Sequence, residues 1–202
     1  MLNPLTTYPR KPKLRYSGFT LIELLMVIAV IMILSGITFG ITRGVQNAQN
    51  RSKAKVELIT LAQALEQYKS RYGDYPWVAD DPILFSQALL GWAHFENDSF
   101  VLKSSVPEDG PKPLIDISKL SYDGTLPPSR NTLPDDIVLL DPWGNSYSYY
   151  YKTSSGANWD NFGFVLYSSG PDGVSVPVGS DGILTTELRE DPDNVDNLYS
   201  GE

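Results

Sequence analysis

Read from its amino end, the chain changes hydrophobic pattern twice. From Phe19 to Ile41 (FTLIELLMVIAVIMILSGITFGI) nearly every position is apolar, and Glu23 carries the only charge. A helix of about 23 residues rising 1.5 Å per residue reaches roughly 35 Å, enough to cross a bilayer core. The run is longer than the apolar part of a secretory signal and no Ala-x-Ala site follows it, so the segment is expected to be retained. Past Ile41 the apolar positions spread out to Val45, Ala48, Ser52, Val56, Ile59, Ala62, Leu65, Tyr68 and Tyr72. Steps of three and four mark one helical face, with Gln46, Arg51, Lys53, Lys55, Glu57, Gln63 and Glu66 on a solvated one. The spacing predicts a helix from about Phe19 to Arg71, stopped by Tyr72-Gly73-Asp74-Tyr75-Pro76. Gly36, Gly40 and Gly44 lie near the junction of the two patterns, where each costs about 1 kcal/mol relative to Ala. They fit either a bend or the close helix contact of small-xxx-small spacing.

Beyond Pro76 the pattern is that of a small mixed domain. Asp81-Pro82 is a start signal for a short helix over Ile83–Phe95. Between Asn97 and Pro134, the prolines at 107, 111, 113, 127, 128 and 134 break up helices and predict a loop-rich stretch with short strands. Ile137-Val138-Leu139-Leu140 leads into the tight turn Asp141-Pro142-Trp143-Gly144-Asn145. Ser146–Tyr151 and Phe162–Ser168 then read as strands, with 152–161 as their hairpin loop. The fold class expected is α+β: a long N-terminal helix, its first half transmembrane, packed on a small antiparallel β-sheet with a loop-rich C-terminal region. The corresponding segments are 1–18, 19–41, 42–72 and 73–202.

Composition narrows the function. The net charge is −8 over 202 residues, but Arg10, Lys11, Lys13 and Arg15 all fall in residues 1–18, which hold no acid. The rest is therefore more acidic still, a poor surface for nucleic acid. With no cysteine, thiolate zinc sites and Cys–His pairs are excluded. His94, the one histidine, sits in Gly91-Trp92-Ala93-His94-Phe95 and reads as a packed or surface residue. No catalytic constellation is visible, and no enzyme is expected. Glu23 is the unusual group: a carboxylate at the bilayer centre costs about 2–3 kcal/mol, less near an end. Physics alone leaves two readings open, a paired carboxylate or one that reaches the interface or holds its proton.

Ser17-Gly18-Phe19-Thr20-Leu21-Ile22-Glu23, behind a basic leader and ahead of a long apolar run, resembles the processing signature of type IV prepilins and pseudopilins. The resemblance implies cleavage between Gly18 and Phe19 by a prepilin peptidase, N-methylation of Phe19, and pairing of the new amine with Glu23 of a neighbouring subunit. Gly suits a scissile bond because its bare backbone lets a protease approach closely. Four basic residues flank the apolar run on each side, the second set being Arg43, Arg51, Lys53 and Lys55, so charge does not choose an orientation. The family implies a cytoplasmic leader, a single pass of the bacterial inner membrane and a periplasmic body. Tyr68…Arg71-Tyr72-Gly73-Asp74-Tyr75-Pro76, Asp141–Asn145 and Leu166–Gly173 also look like the major pseudopilins of type II secretion systems.

That resemblance implies one more site. In the family, an Asp after the last main strand and acids near the C-terminus hold one Ca²⁺. By position Asp172 matches the first, with Asp196 and then Asp193 matching the second. The segment between them, 174–189, is longer than the usual spacing. The tail is rich in oxygen ligands, also including Asp181, Glu190, Asp191, Asn194 and Asn197, as calcium requires. A charge run is otherwise a solvated face. The function expected is a structural subunit of a secretion pseudopilus. Its partners would be further copies of itself, minor pseudopilins, the inner-membrane assembly platform and lipid. The alternatives are a type IV pilus pilin, against which the missing cysteines weigh, and a membrane-tethered enzyme or binding module.

Overall fold

The computed structural model describes residues 18–96, 99–103, 111–126, 129 and 131–201, with backbone alone for 37–43. The leader up to Ser17, with its four basic residues, and the prolines at 107, 127 and 128 lie outside the described residues. Helix α1 runs Leu21–Tyr72. It stops where expected: Gly73 adopts φ +92° and its N–H donates to the Lys69 carbonyl at 2.8 Å, a left-handed cap that a residue with a Cβ would strain. The chain divides into two compact units, 1–44 and 45–202.

In the first unit every described apolar side chain of α1 lies exposed, on all sides of the helix. Among the described residues no helix is long and apolar enough to cross a membrane. The run expected to do so, 19–41, includes residues 37–41, whose side chains are not among those described.

The second unit packs α2 (Pro82–Leu89), α3 (Thr186–Glu190) and seven short strands onto the later part of α1. Strands β1 (Ala93–Glu96) and β2 (Ser99–Leu102) form an antiparallel pair with His94 opposite Val101. Strands β3 (Ser121–Asp123) and β4 (Val138–Leu140) form another, with Tyr122 opposite Leu139. Strands β5 (Ser148–Tyr150), β6 (Val165–Ser168) and β7 (Leu198–Tyr199) make a three-stranded antiparallel sheet in that order. The main core joins Leu58, Leu61 and Leu65 of α1 to Phe85, Leu89, Leu139, Tyr149 and Leu166.

Three sequence expectations need correction. The helix expected over Ile83–Phe95 ends at Leu89 and the chain turns into β1. Gly91, at φ +87°, lies against the Lys112 backbone so closely that a Cβ would come within 2.6 Å of its carbonyl oxygen. The strands read over 146–151 and 162–168 shrink to three and four residues, because Ser146 makes only an isolated bridge to Leu140 and Phe162 stands in solvent. The buried face of α1 is also different. Leu65 and Tyr68 of the predicted face are buried, but their buried companions are Ala54, Leu58, Leu61 and Ala64, while Val45, Val56 and Ile59 of that face are exposed. The helix carries two apolar stripes in different phases, and the leucine-rich one joins the main core.

Glu57 belongs to this correction, since the pattern put it on the solvated face. It is 5% exposed and accepts the Tyr147 hydroxyl at 2.7 Å, with Lys53 3.6 Å from its other oxygen. A second polar lock closes the end of α1. Asp74 accepts the Tyr75 N–H, the Tyr151 hydroxyl at 2.7 Å and the Trp77 indole, and pairs with Lys152 at 2.5 Å. Desolvation pushes the Asp74 carboxyl up, but the Lys152 ammonium, the Tyr151 hydroxyl and the Tyr75 N–H outweigh it and hold it below its ordinary range.

Candidate processing and assembly site

The expected cleavage site precedes the first turn of α1. Gly18, Phe19 and Thr20 are exposed and outside regular structure, and no described residue lies within 4 Å of the place where a Gly18 Cβ would be. Phe19 is 82% exposed.

Glu23 points back to Thr20. Its Oε2 accepts both the Thr20 N–H and the Thr20 hydroxyl at 2.8 Å, and its own N–H donates to Thr20 Oγ1 at 3.3 Å. This is a capping box: two side chains reciprocally satisfy N–H groups that a helix start leaves without partners. Sequence reasoning missed it, although the signal was there in Thr20-Leu21-Ile22-Glu23. Within one chain, then, the carboxylate already has two donors and sits at the positive end of a helix dipole. Around it Leu21, Ile22, Leu24, Leu25, Met26 and Met32 are each more than half exposed. A belt apolar all round has no polar face to offer water.

The second expected site, for calcium, is only partly assembled. Among the described residues no three His, Asp or Glu side chains gather as a metal site. Asp172 is exposed and its Oδ1 accepts the Val174 N–H at 3.0 Å; Asp193 is exposed. Asp196 comes closer to the expected loop, for a Cβ on Gly170 would lie 2.7 Å from its carbonyl oxygen and 2.9 Å from its Oδ2. Arg51 donates to that carbonyl at 3.3 Å. Asp196 Oδ1 and Asn197 Oδ1 are both buried with no hydrogen-bond donor. Two acceptor oxygens left without a proton are the chemistry a hard cation satisfies, so this part of the donor set fits Ca²⁺. Sequence reasoning placed Asn197 in the oxygen-rich tail but not among the ligands.

A Gly-Phe junction, a capped Glu in the first helical turn and an exposed apolar belt lie together at the start of α1. The family of the prokaryotic N-terminal methylation motif matches residues 13–39, the stretch that holds all three. Over most of its length the chain is similar to type II secretion system core protein G. It is 28% identical to that of Escherichia coli (strain K12) over 157 residues, 77% of this chain and 82% of the relative. It is 29% identical to that of Pseudomonas aeruginosa over 157 residues, covering 78% and 84%. No solved structure matches the chain.

Proposed function

We propose that this chain is a structural subunit of a type II secretion pseudopilus, made as a membrane-inserted precursor and working by polymerisation rather than catalysis. The observation that carries the proposal is the apolar belt of α1 with one capped carboxylate at its head. In the precursor, Glu23 accepts two hydrogen bonds from its own Thr20, which lowers the cost of holding it at the membrane edge. A prepilin peptidase cuts between Gly18 and Phe19, releasing the basic leader and leaving a cationic amine on Phe19. That amine, two costly charges' worth of attraction away from lipid, draws Glu23 of an adjacent subunit into an ion pair as the belts stack. Further copies, minor pseudopilins and the inner-membrane assembly platform are the partners, and the body faces the periplasm.

A clamp on the C-terminal loop completes the reading. Asp196 and Asn197 hold Ca²⁺, with Asp172 supplying a carboxylate from the preceding loop. The ion would tie that loop down without cysteine.

The decisive experiment expresses Glu23→Gln and Glu23→Leu beside the unaltered chain and measures two things. Mass spectrometry reads the mature N-terminus, and shearing reads filament yield. A mature chain beginning at methylated Phe19 in all three, with filaments lost in both variants, is the result expected. Filaments of Glu23→Leu at the unaltered yield would overturn the pairing, and an uncut N-terminus in the unaltered chain would overturn the whole reading.

A further inference from the structure

A cavity of about 280 Å³ lies at the end of β5, lined by Asp80, Tyr150, Tyr151, Lys152, Asn158 and Trp159 among others. The chain reaches it through an unusual turn. The Asp81 N–H donates to the Val78 carbonyl at 2.9 Å, and the two residues between, Ala79 and Asp80, have φ of +49° and +59°. Positive φ at both central positions defines a type I′ turn, which favours Asn and Gly. Here an alanine and an aspartate hold it instead, against steric strain. The turn brings Asp80 beside β5, near the Tyr150 hydroxyl and the Tyr149 N–H. Desolvation nevertheless raises its pKa, those two donors lowering it only in part.

The walls are built in advance. Trp159 donates its indole N–H to the Gly163 carbonyl at 2.7 Å, and its ring lies so close to Gly182 that a Cβ there would come within 2.5 Å. Tyr150 stacks on Tyr167 at 6.1 Å between ring centres. The one positive charge on the lining is already paired with an acid outside it. Among the described residues no Lys, Arg or His pairs with Asp80, and the one lysine on the lining, Lys152, is held by Asp74 at 2.5 Å. A carboxylate without a counter-ion, on a lining that also holds fixed aromatic rings, attracts a cation through both charge and ring quadrupoles.

We propose that this cavity is a binding site for an organic cation, an ammonium or guanidinium group that pairs with Asp80 against the rings of Tyr150 and Trp159. The test uses the full chain in detergent and follows the tryptophan indole N–H signals by NMR, with Trp159→Phe identifying the relevant one. Choline chloride is titrated against its uncharged carbon isostere at constant ionic strength. The expected result is a saturable shift of the Trp159 signal with choline and none with the isostere, weakened about tenfold or more in Asp80→Asn. Asn tolerates the positive φ, so this variant keeps the turn and loses only the charge. A tripeptide with a central Lys or Arg separates the sources: tighter binding than choline marks a basic side chain of a partner, weaker binding a free small cation. No saturable shift with any cation, an equal shift with the isostere, or unaltered binding in Asp80→Asn would overturn the proposal.

Discussion

Replacing Tyr147 by Phe should destabilise the head far more than the loss of one hydroxyl from a surface would. The hydroxyl donates at 2.7 Å to Glu57, and the two residues are 2% and 5% exposed. A hydrogen bond to a charged group contributes about 1.5–3 kcal/mol, and its removal leaves the acceptor buried without a donor on that oxygen. Lys53 cannot compensate: it is 3.6 Å from the other oxygen with its side chain half exposed, a pair of the kind that contributes about 0–1 kcal/mol. The expected loss is therefore about 2 kcal/mol. In a folded unit of this size that lowers the midpoint by roughly 4–8 °C. The assay is urea and thermal unfolding of the full chain in detergent, followed by near-ultraviolet circular dichroism. Adding Glu57→Leu to Tyr147→Phe should recover part of the loss, since an apolar pair leaves nothing unsatisfied, and the double-mutant cycle should show coupling of about 1 kcal/mol or more. A loss below about 0.5 kcal/mol, or strict additivity, would refute the burial argument and return Glu57 to the solvated face on which its spacing had put it.

Two other outcomes follow from the polar groups of the head. Because the folded state holds Asp74 below its unfolded value of about 3.9, its contribution is complete above that pH and is lost as pH falls below it. Acid unfolding should accordingly be less steep in Asp74→Asn than in the unaltered chain, and identical slopes would remove Asp74 from the account. For the calcium clamp, chelation should lower the thermal midpoint of the unaltered chain and leave that of Asp196→Ala unmoved. An unaltered chain indifferent to chelator would leave the two donorless oxygens of Asp196 and Asn197 without that explanation.

Much of this protein was legible in its sequence because the relevant chemistry is local. The Gly18–Phe19 junction, Glu23 and the apolar run lie within one short stretch, and the capping box needs residues only three apart. The stop at Gly73 and the turn at Asp141–Asn145, where Asp141 Oδ1 accepts the Trp143 and Asn145 N–H groups at 2.9 Å, depend likewise on immediate neighbours. What tertiary structure alone decided rests on residues far apart in the chain. Periodicity marks apolar stripes on α1 but not which stripe the head covers, since that choice is made by Phe85, Leu139 and Tyr149 arriving from elsewhere. Glu57 is buried because its donor comes from 90 positions away. Asp80 lines an aromatic cavity because a strained turn, one hairpin loop and a later loop converge there. Burial is a property of the partner as much as of the residue, and no spacing rule along one helix contains the partner.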